Sequence, residues 1–198
     1  MILYACSTNA GKLAEFALAG RQAGIPGLNI EPLPGLERIP APDETGSRFE
    51  ENASIKARFY SRFTSELVFA DDSGLEVSVL GDAPGVHSAR YAGANSADEV
   101  NNTLLLRNLQ NENNRAARFV CVIALARAGR VLVIFRGSVE GLILASPEGT
   151  GGFGYDPLFF YPPLAQSFAQ IGAQQKFSVS HRGEALRKLF ASLSSDMI

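Results

Sequence analysis

Tryptophan is absent from the chain, and cysteine, histidine and methionine occur only twice each. So few Cys and His side chains, none at ligand spacing, argue against a zinc site. Cys6 and Cys121 lie inside the apolar runs "MILYAC" and "RFVCVIALA", which reads as two buried free thiols rather than a disulfide. No apolar run reaches the roughly 18 residues that a membrane-crossing helix needs. The opening "MILYACSTNAGK" has no basic region ahead of its apolar stretch and reads as a strand, not a signal peptide. Lys and Arg are scattered, and a net charge of −2 leaves no basic footprint for nucleic acid. An anionic ligand is therefore expected to be small and held by a local pocket. Repeats, low-complexity tracts and long linkers are missing as well. What remains is 198 residues, 46% hydrophobic and 19% charged, the composition of a soluble globular protein with the cytoplasm as its default address. That length suits one large domain or two small lobes.

Periodicity organises the chain. "MILYA", the polar "CSTNAGK" and "LAEFALAGRQAG" read as strand, loop and helix. "LNIEPL" reads as a second strand and the Pro-rich "PLPGLERIPAPDETG" as a loop. "SRFEENASIKARFYSRF" places Phe49, Ala53, Ala57 and Tyr60 on one face of a long helix. "LVFADDSGLEVSVL" reads as two strands broken by an acidic turn, "GDAPGVHSARYAGANS" as a loop, and "ADEVNNTLLLRNL" as a helix. Two Val-, Ile- and Phe-rich strands turn at Ala128-Gly129-Arg130. A last helix, "SHRGEALRKLFASLSSD", has Ser180 as its N-cap. A parallel crossover at the start and a long hairpin later predict an α/β protein with a mixed sheet.

Four clusters carry chemistry. "STNAGK" (Ser7, Thr8, Asn9, Ala10, Gly11, Lys12) lies between strand and helix, where free N–H groups, the helix dipole and a lysine favour an anion. It is not a Walker A loop, which needs glycine where Cys6 stands. "ADDSG" pairs Asp71 with Asp72, read either as a solvent-facing turn or as a pair that serves a metal or a water. Asp43 and Glu44 precede a helix on which Asn52 and Lys56 lie four residues apart, on one face. If that face fronts a site, Lys56 is a phosphate ligand and Glu44 a metal ligand. Finally, "GTGGFGYDPLFF" and "KFSVSHRG" combine Gly149, Gly151, Gly152 and Gly154 with Phe153 and Tyr155, either of which suits stacking on a base. Asp156, His181 and Arg182 offer hydrogen bonds to a ring edge. His87 reads as packing or a cleft wall.

Together, "STNAGKLAEF", "ETGSRFEENASIKAR", "ADDSGLEVSVLGDAPGVHSARYAG", "GTGGFGYDPLFF" and "KFSVSHRGEAL" resemble, in order, the motifs of the inosine triphosphate pyrophosphatase family, bacterial type. The resemblance spans residues 7 to 190. It implies one nucleoside-triphosphate pyrophosphatase domain over 1–198, elongated and two-lobed, with a long central mixed sheet flanked by helices and a cleft between the lobes. It implies Mg²⁺-dependent hydrolysis of ITP, dITP and XTP to the monophosphate and pyrophosphate by a homodimer, without nucleic-acid or membrane partners. Carried onto this chain, Ser7 to Lys12 and Lys56 grip the triphosphate. Asp72 is the general base and shares the metal with the pair Asp43 and Glu44, of which Glu44 is the first choice. Ser73, Phe153, Gly154, Tyr155, Asp156, Lys176, His181 and Arg182 surround the nucleoside. "PPLAQSFAQIGAQQK" lacks the acidic character common in relatives, which weakens the case for Lys176. Competing readings are a pyrophosphatase for modified pyrimidine or ordinary triphosphates, and a nucleotide-sensing module without catalysis.

Overall fold

A computed structural model describes residues 1–194. Its elements are β1 (Ile2–Ala5), α1 (Ala10–Gln22), β2 (Asn29–Pro32), α2 (Phe49–Tyr60), β3 (Leu67–Val77), α3 (Asp98–Asn108), β4 (Ala116–Arg127), β5 (Arg130–Ile143), β6 (Phe159–Tyr161), β7 (Gln166–Ser167), α4 (Ala173–Val179) and α5 (His181–Ser194). The expected end of the last helix, at Ser195 and Asp196, lies outside the described residues. Among the described residues no helix is long and apolar enough to cross a membrane.

The strands form one seven-stranded sheet in the order β2-β1-β3-β4-β5-β6-β7. β1 runs parallel to β2, which requires the crossover that α1 supplies, and parallel to β3. β6 is antiparallel to both β5 and β7. The sheet is therefore mixed, as the periodicity predicts. β4 and β5 are joined by Ala128 and Gly129, at φ of 48° and 78°, the backbone of a two-residue hairpin turn.

One expectation fails. β3 is not two strands around an acidic turn but a single strand of 11 residues, with Asp71 and Asp72 buried inside it. Adjacent buried carboxylates are tolerable there because each has its own cation, described below. Three short elements, β6, β7 and α4, fall where the sequence suggests none; strands of two or three residues are too short to show a period.

Two compact units divide the chain. The first comprises Met1–Asp72, Cys121–Gly137 and the chain from Arg182 onward. In its core Phe16 of α1 meets Phe69 of β3 edge-on, with ring centroids 4.9 Å apart. Phe49, Ala53, Ala57 and Tyr60 of α2 are all buried, which bears out the predicted apolar face. Burial of each large side chain contributes about 1.5–3 kcal/mol. Cys6 and Cys121 are buried and free in this unit, and burial pushes both thiols up to about 12.

The second unit comprises Ser73–Val120 and Ser138–His181. Its core gathers Leu75, Leu105, Leu109, Leu158 and a ring cluster. Phe159 lies 4.4 Å from Phe119 and 4.9 Å from Phe168, centroid to centroid. His87, for which packing was one expectation, is exposed.

Candidate active site

The first unit brings four of the predicted segments together. Asn9 caps α1, its Oδ1 accepting from the Lys12 N–H at 2.9 Å, and Ser7 Oγ accepts from the Asn9 N–H at 3.2 Å. This capped start places the Lys12 ammonium 2.9 Å from Asp71 Oδ2. On its other side Asp71 faces Arg182 of α5, 3.6 Å from Nε, and Arg182 is held in turn by Glu15 of α1. Burial opposes charge on Asp71, but Lys12, Arg182 and Lys56 outweigh it and hold the carboxyl down at about 2.

Asp72 has a separate set of partners. Lys56 donates to its Oδ1 at 3.0 Å and Asn52 to its Oδ2 at 3.3 Å, both from α2. The Lys56 ammonium also lies 2.9 Å from Glu44 Oε1, so it bridges Glu44 and Asp72. Burial raises the Asp72 carboxyl above its ordinary value despite the opposing pull of Lys56 and Lys12. Burial likewise works against the Lys56 charge, yet Asp72, Asp71 and Glu44 prevail and stabilise the ammonium. A buried carboxylate with a raised proton affinity suits a group that must accept a proton from water.

The three-carboxylate metal set is not assembled. Glu44 is half-buried and turned to Lys56, whereas its neighbour Asp43 is exposed. Among the described residues no group of three or more His, Cys, Asp or Glu could hold a metal ion. That arrangement does not fit a closed, all-protein metal cage. It fits Mg²⁺, which takes one or two carboxylates and completes its shell with water and phosphate oxygens. Charge points the same way. Glu15, Glu44, Asp71 and Asp72 are four carboxylates against three cations, Lys12, Lys56 and Arg182. A polyanion entering a group with surplus negative charge needs a further cation.

The second unit contains the glycine loop, and its order comes from side chains placed beneath it. Asp156 is buried; its Oδ2 accepts from the Phe153 N–H at 2.8 Å and pairs with the Lys176 ammonium of α4 at 2.5 Å. Gly152, at φ +71°, passes so close that a Cβ there would fall 2.1 Å from the same oxygen. Gly154 is gripped at both backbone groups by α3. Its N–H donates to Asp98 Oδ2 at 2.6 Å, and its carbonyl accepts from Asn102 Nδ2 at 3.1 Å. The half-buried Phe153 ring lies against Lys176, whose Nζ is 4.8 Å from its centroid.

Three of the expected nucleoside contacts take other places. Tyr155 is a core residue, its ring packed with Leu158 and Phe159 and its hydroxyl donating to the Ser88 carbonyl at 2.8 Å. That leaves Phe153 as the ring suited to stacking. Asp156 is turned into its ion pair with Lys176 and orders the loop from below. Arg182 sits in the first unit with Asp71 and Glu15. Its neighbour His181 belongs to the second, stacked on Phe119 at 4.8 Å and nearly parallel to it. Ser73, half-buried, follows Asp72 on β3.

Sequence reasoning passed over Glu15, Asp98 and Asn102, gave Asp71 no role apart from its pairing with Asp72, and used Asn52 only to define a face. A faint signal existed: Asp98 and Asn102 are four residues apart on one helix face. Nothing local says that this face meets Gly154, more than fifty residues on.

Comparison with known proteins places the whole chain in one family. The Ham1 family model matches residues 3–192. The dITP/XTP pyrophosphatase of Acidobacterium capsulatum is 50% identical over 202 aligned positions, covering 98% of each chain. Its counterpart from an Exiguobacterium species is 47% identical, over 98% of this chain and 97% of that one. The solved Ham1 protein of Staphylococcus aureus superimposes with a TM-score of 0.86 at 39% identity, covering 99% of this chain and all of that one. This chain, an α/β protein with a mixed sheet, belongs to the Ham1 family.

Proposed function

We propose that this chain is a nucleoside-triphosphate pyrophosphatase that hydrolyses dITP, ITP and XTP to the monophosphate and pyrophosphate. The observation that carries this reading is the buried Asp72, held through one oxygen by Lys56, which also pairs with Glu44, and through the other by Asn52. The names of the dITP/XTP pyrophosphatases that it resembles over nearly its whole length support it.

In the reaction, water attacks the α-phosphorus. The new P–O bond forms as the bond from that phosphorus to the oxygen bridging to the β-phosphorus breaks, and pyrophosphate leaves with the bridging oxygen. Asp72 accepts the proton from the water. Lys12 and Lys56 offset charge on the phosphate oxygens, and such positioning and electrostatics carry most phosphoryl chemistry. Glu44 and Asp72 would hold Mg²⁺, which would supply the remaining neutralisation of phosphate charge. Phe153 stacks on the purine. Backbone N–H groups or His181 donate to its 6-oxo group, and a site built on such a bond rejects adenine, which presents an amine there. In this reading the enzyme works on free nucleotides in the cytoplasm as a homodimer.

The test is pyrophosphate release from ITP, dITP, XTP, ATP, GTP and dUTP, with and without Mg²⁺. Turnover of the first three, dependent on Mg²⁺, is expected. Equal turnover of dUTP or ATP would overturn the substrate class. Binding without turnover of any of the six would favour a sensor.

A further inference from the structure

Asn52 is wholly buried on α2 and uses both ends of its amide. Its Oδ1 accepts from the Gly46 N–H at 2.8 Å, and its Nδ2 donates to Asp72 Oδ2 at 3.3 Å. Exchanging the two ends would set oxygen against carboxylate and an amine against an N–H, so the neighbours fix the orientation of the amide. Gly46 belongs to the loop that carries Glu44. Glu51 pins the same loop by accepting from the Ser47 N–H at 2.7 Å and the Arg48 N–H at 3.3 Å. The fit at Gly46 is close: a Cβ there would fall 2.6 Å from Asn52 Oδ1. One side chain thus ties the Glu44 loop to the Asp72 carboxylate across a fixed span.

We propose that Asn52 is a positioning residue of the hydrolytic centre. It sets the plane of the Asp72 carboxylate and keeps the Glu44 loop in register with it, without touching substrate. This rests on the reading of Asp72 as the group that takes the proton from water. A carboxylate bonded through Oδ1 alone pivots about the bond to Lys56. The second bond, at Oδ2, stops that rotation and so decides which lone pair faces the water. Displacement of a reacting group by about 1 Å can cost a hundredfold in rate. Lys56 cannot replace this function, because its ammonium is shared between Asp72 and Glu44 and places no constraint on the carboxylate plane.

Asn52→Asp keeps an acceptor for Gly46 but removes the donor to Asp72. The expected result is a fall of about a hundredfold in kcat for dITP. KM, and the calorimetric affinity for the non-hydrolysable α,β-imido analogue of dITP, are expected to stay within about threefold. Gly46→Ala disturbs the same bond from the loop side and leaves both Asn52 and Asp72 chemically intact; a loss of about tenfold in kcat is expected. In an Asp72→Asn background, Asn52→Asp is expected to subtract nothing further, because it acts through Asp72. A folded Asn52→Asp enzyme with unchanged kcat, or with its full loss repeated in the Asp72→Asn background, would overturn the inference. If Asn52→Asp does not fold, Gly46→Ala decides, and unchanged kcat there overturns it. Normal turnover by Asp72→Asn removes the base assignment itself. An inactive Asp72→Asn beside an active Asn52→Asp removes the role of Asn52 alone.

Discussion

The acid–lysine group of the first unit and the glycine loop of the second solve opposite problems. In the first, the proposed working groups are side chains paired by charge: Lys12 with Asp71, and a single lysine, Lys56, between Asp72 and Glu44. In the second, the surface proposed to hold the base is backbone and one ring, ordered by Asp156, Asp98 and Asn102. A change in the first group should therefore alter the chemical step. A change in the second should alter how tightly, and which, base is held.

Substitution can break this contrast, and the largest effect is expected at Asp72. Asp72→Asn should lower kcat by about a thousandfold in a pyrophosphate-release assay, while a melting curve shows an intact fold. A rise in KM of that size with kcat unchanged would contradict the division. Next comes Lys176→Met, which leaves Asp156 buried without its cation. Urea denaturation should show a loss of about 3 kcal/mol, and Lys176→Met with Asp156→Asn should recover part of it. Unchanged stability would mean that the ion pair does not order the loop. Phe153→Ala should raise KM for dITP about tenfold with little change in kcat, the scale of one lost stacking contact. A large fall in kcat instead would place Phe153 with the chemistry. The smallest response is expected from the thiols. Burial holds Cys6 and Cys121 near 12, so iodoacetamide at pH 8 should label neither until denaturant is added. Rapid labelling of the folded protein would show that the core of the first unit opens.

Legibility follows the same division. The sequence pattern located α1, α2, α3 and the β4–β5 hairpin, although α3 has almost no apolar face and buries Asn101 and Asn102 beside Leu105. On α2, Asn52 and Lys56 flank the stripe of Phe49, Ala53, Ala57 and Tyr60, about 75° around the helix from it, and reach Asp72 from there. β3 was misread because adjacent acids look like a turn when their counter-ions lie 59 and 16 residues away, at Lys12 and Lys56. Tyr155 looked like a ligand platform because composition cannot separate a ring on a surface from one in a core. Arg182 and His181 looked like one functional pair because they are consecutive, although their side chains serve different packing environments. The motifs pointed to segments that the first unit brings together around Lys12, Lys56, Asp71 and Asp72; the direction of each side chain depended on contacts that only the folded chain supplies.

In the proposed reaction, the ion pair between Lys12 and Asp71 also bears on how substrate is let go. A phosphate arriving at this ammonium competes with a carboxylate already 2.9 Å away. The affinity gained is thus the difference between two good partners rather than the whole strength of one. When pyrophosphate departs, the lysine returns to its resident acid instead of facing water bare, which favours quick turnover over tenacious grip.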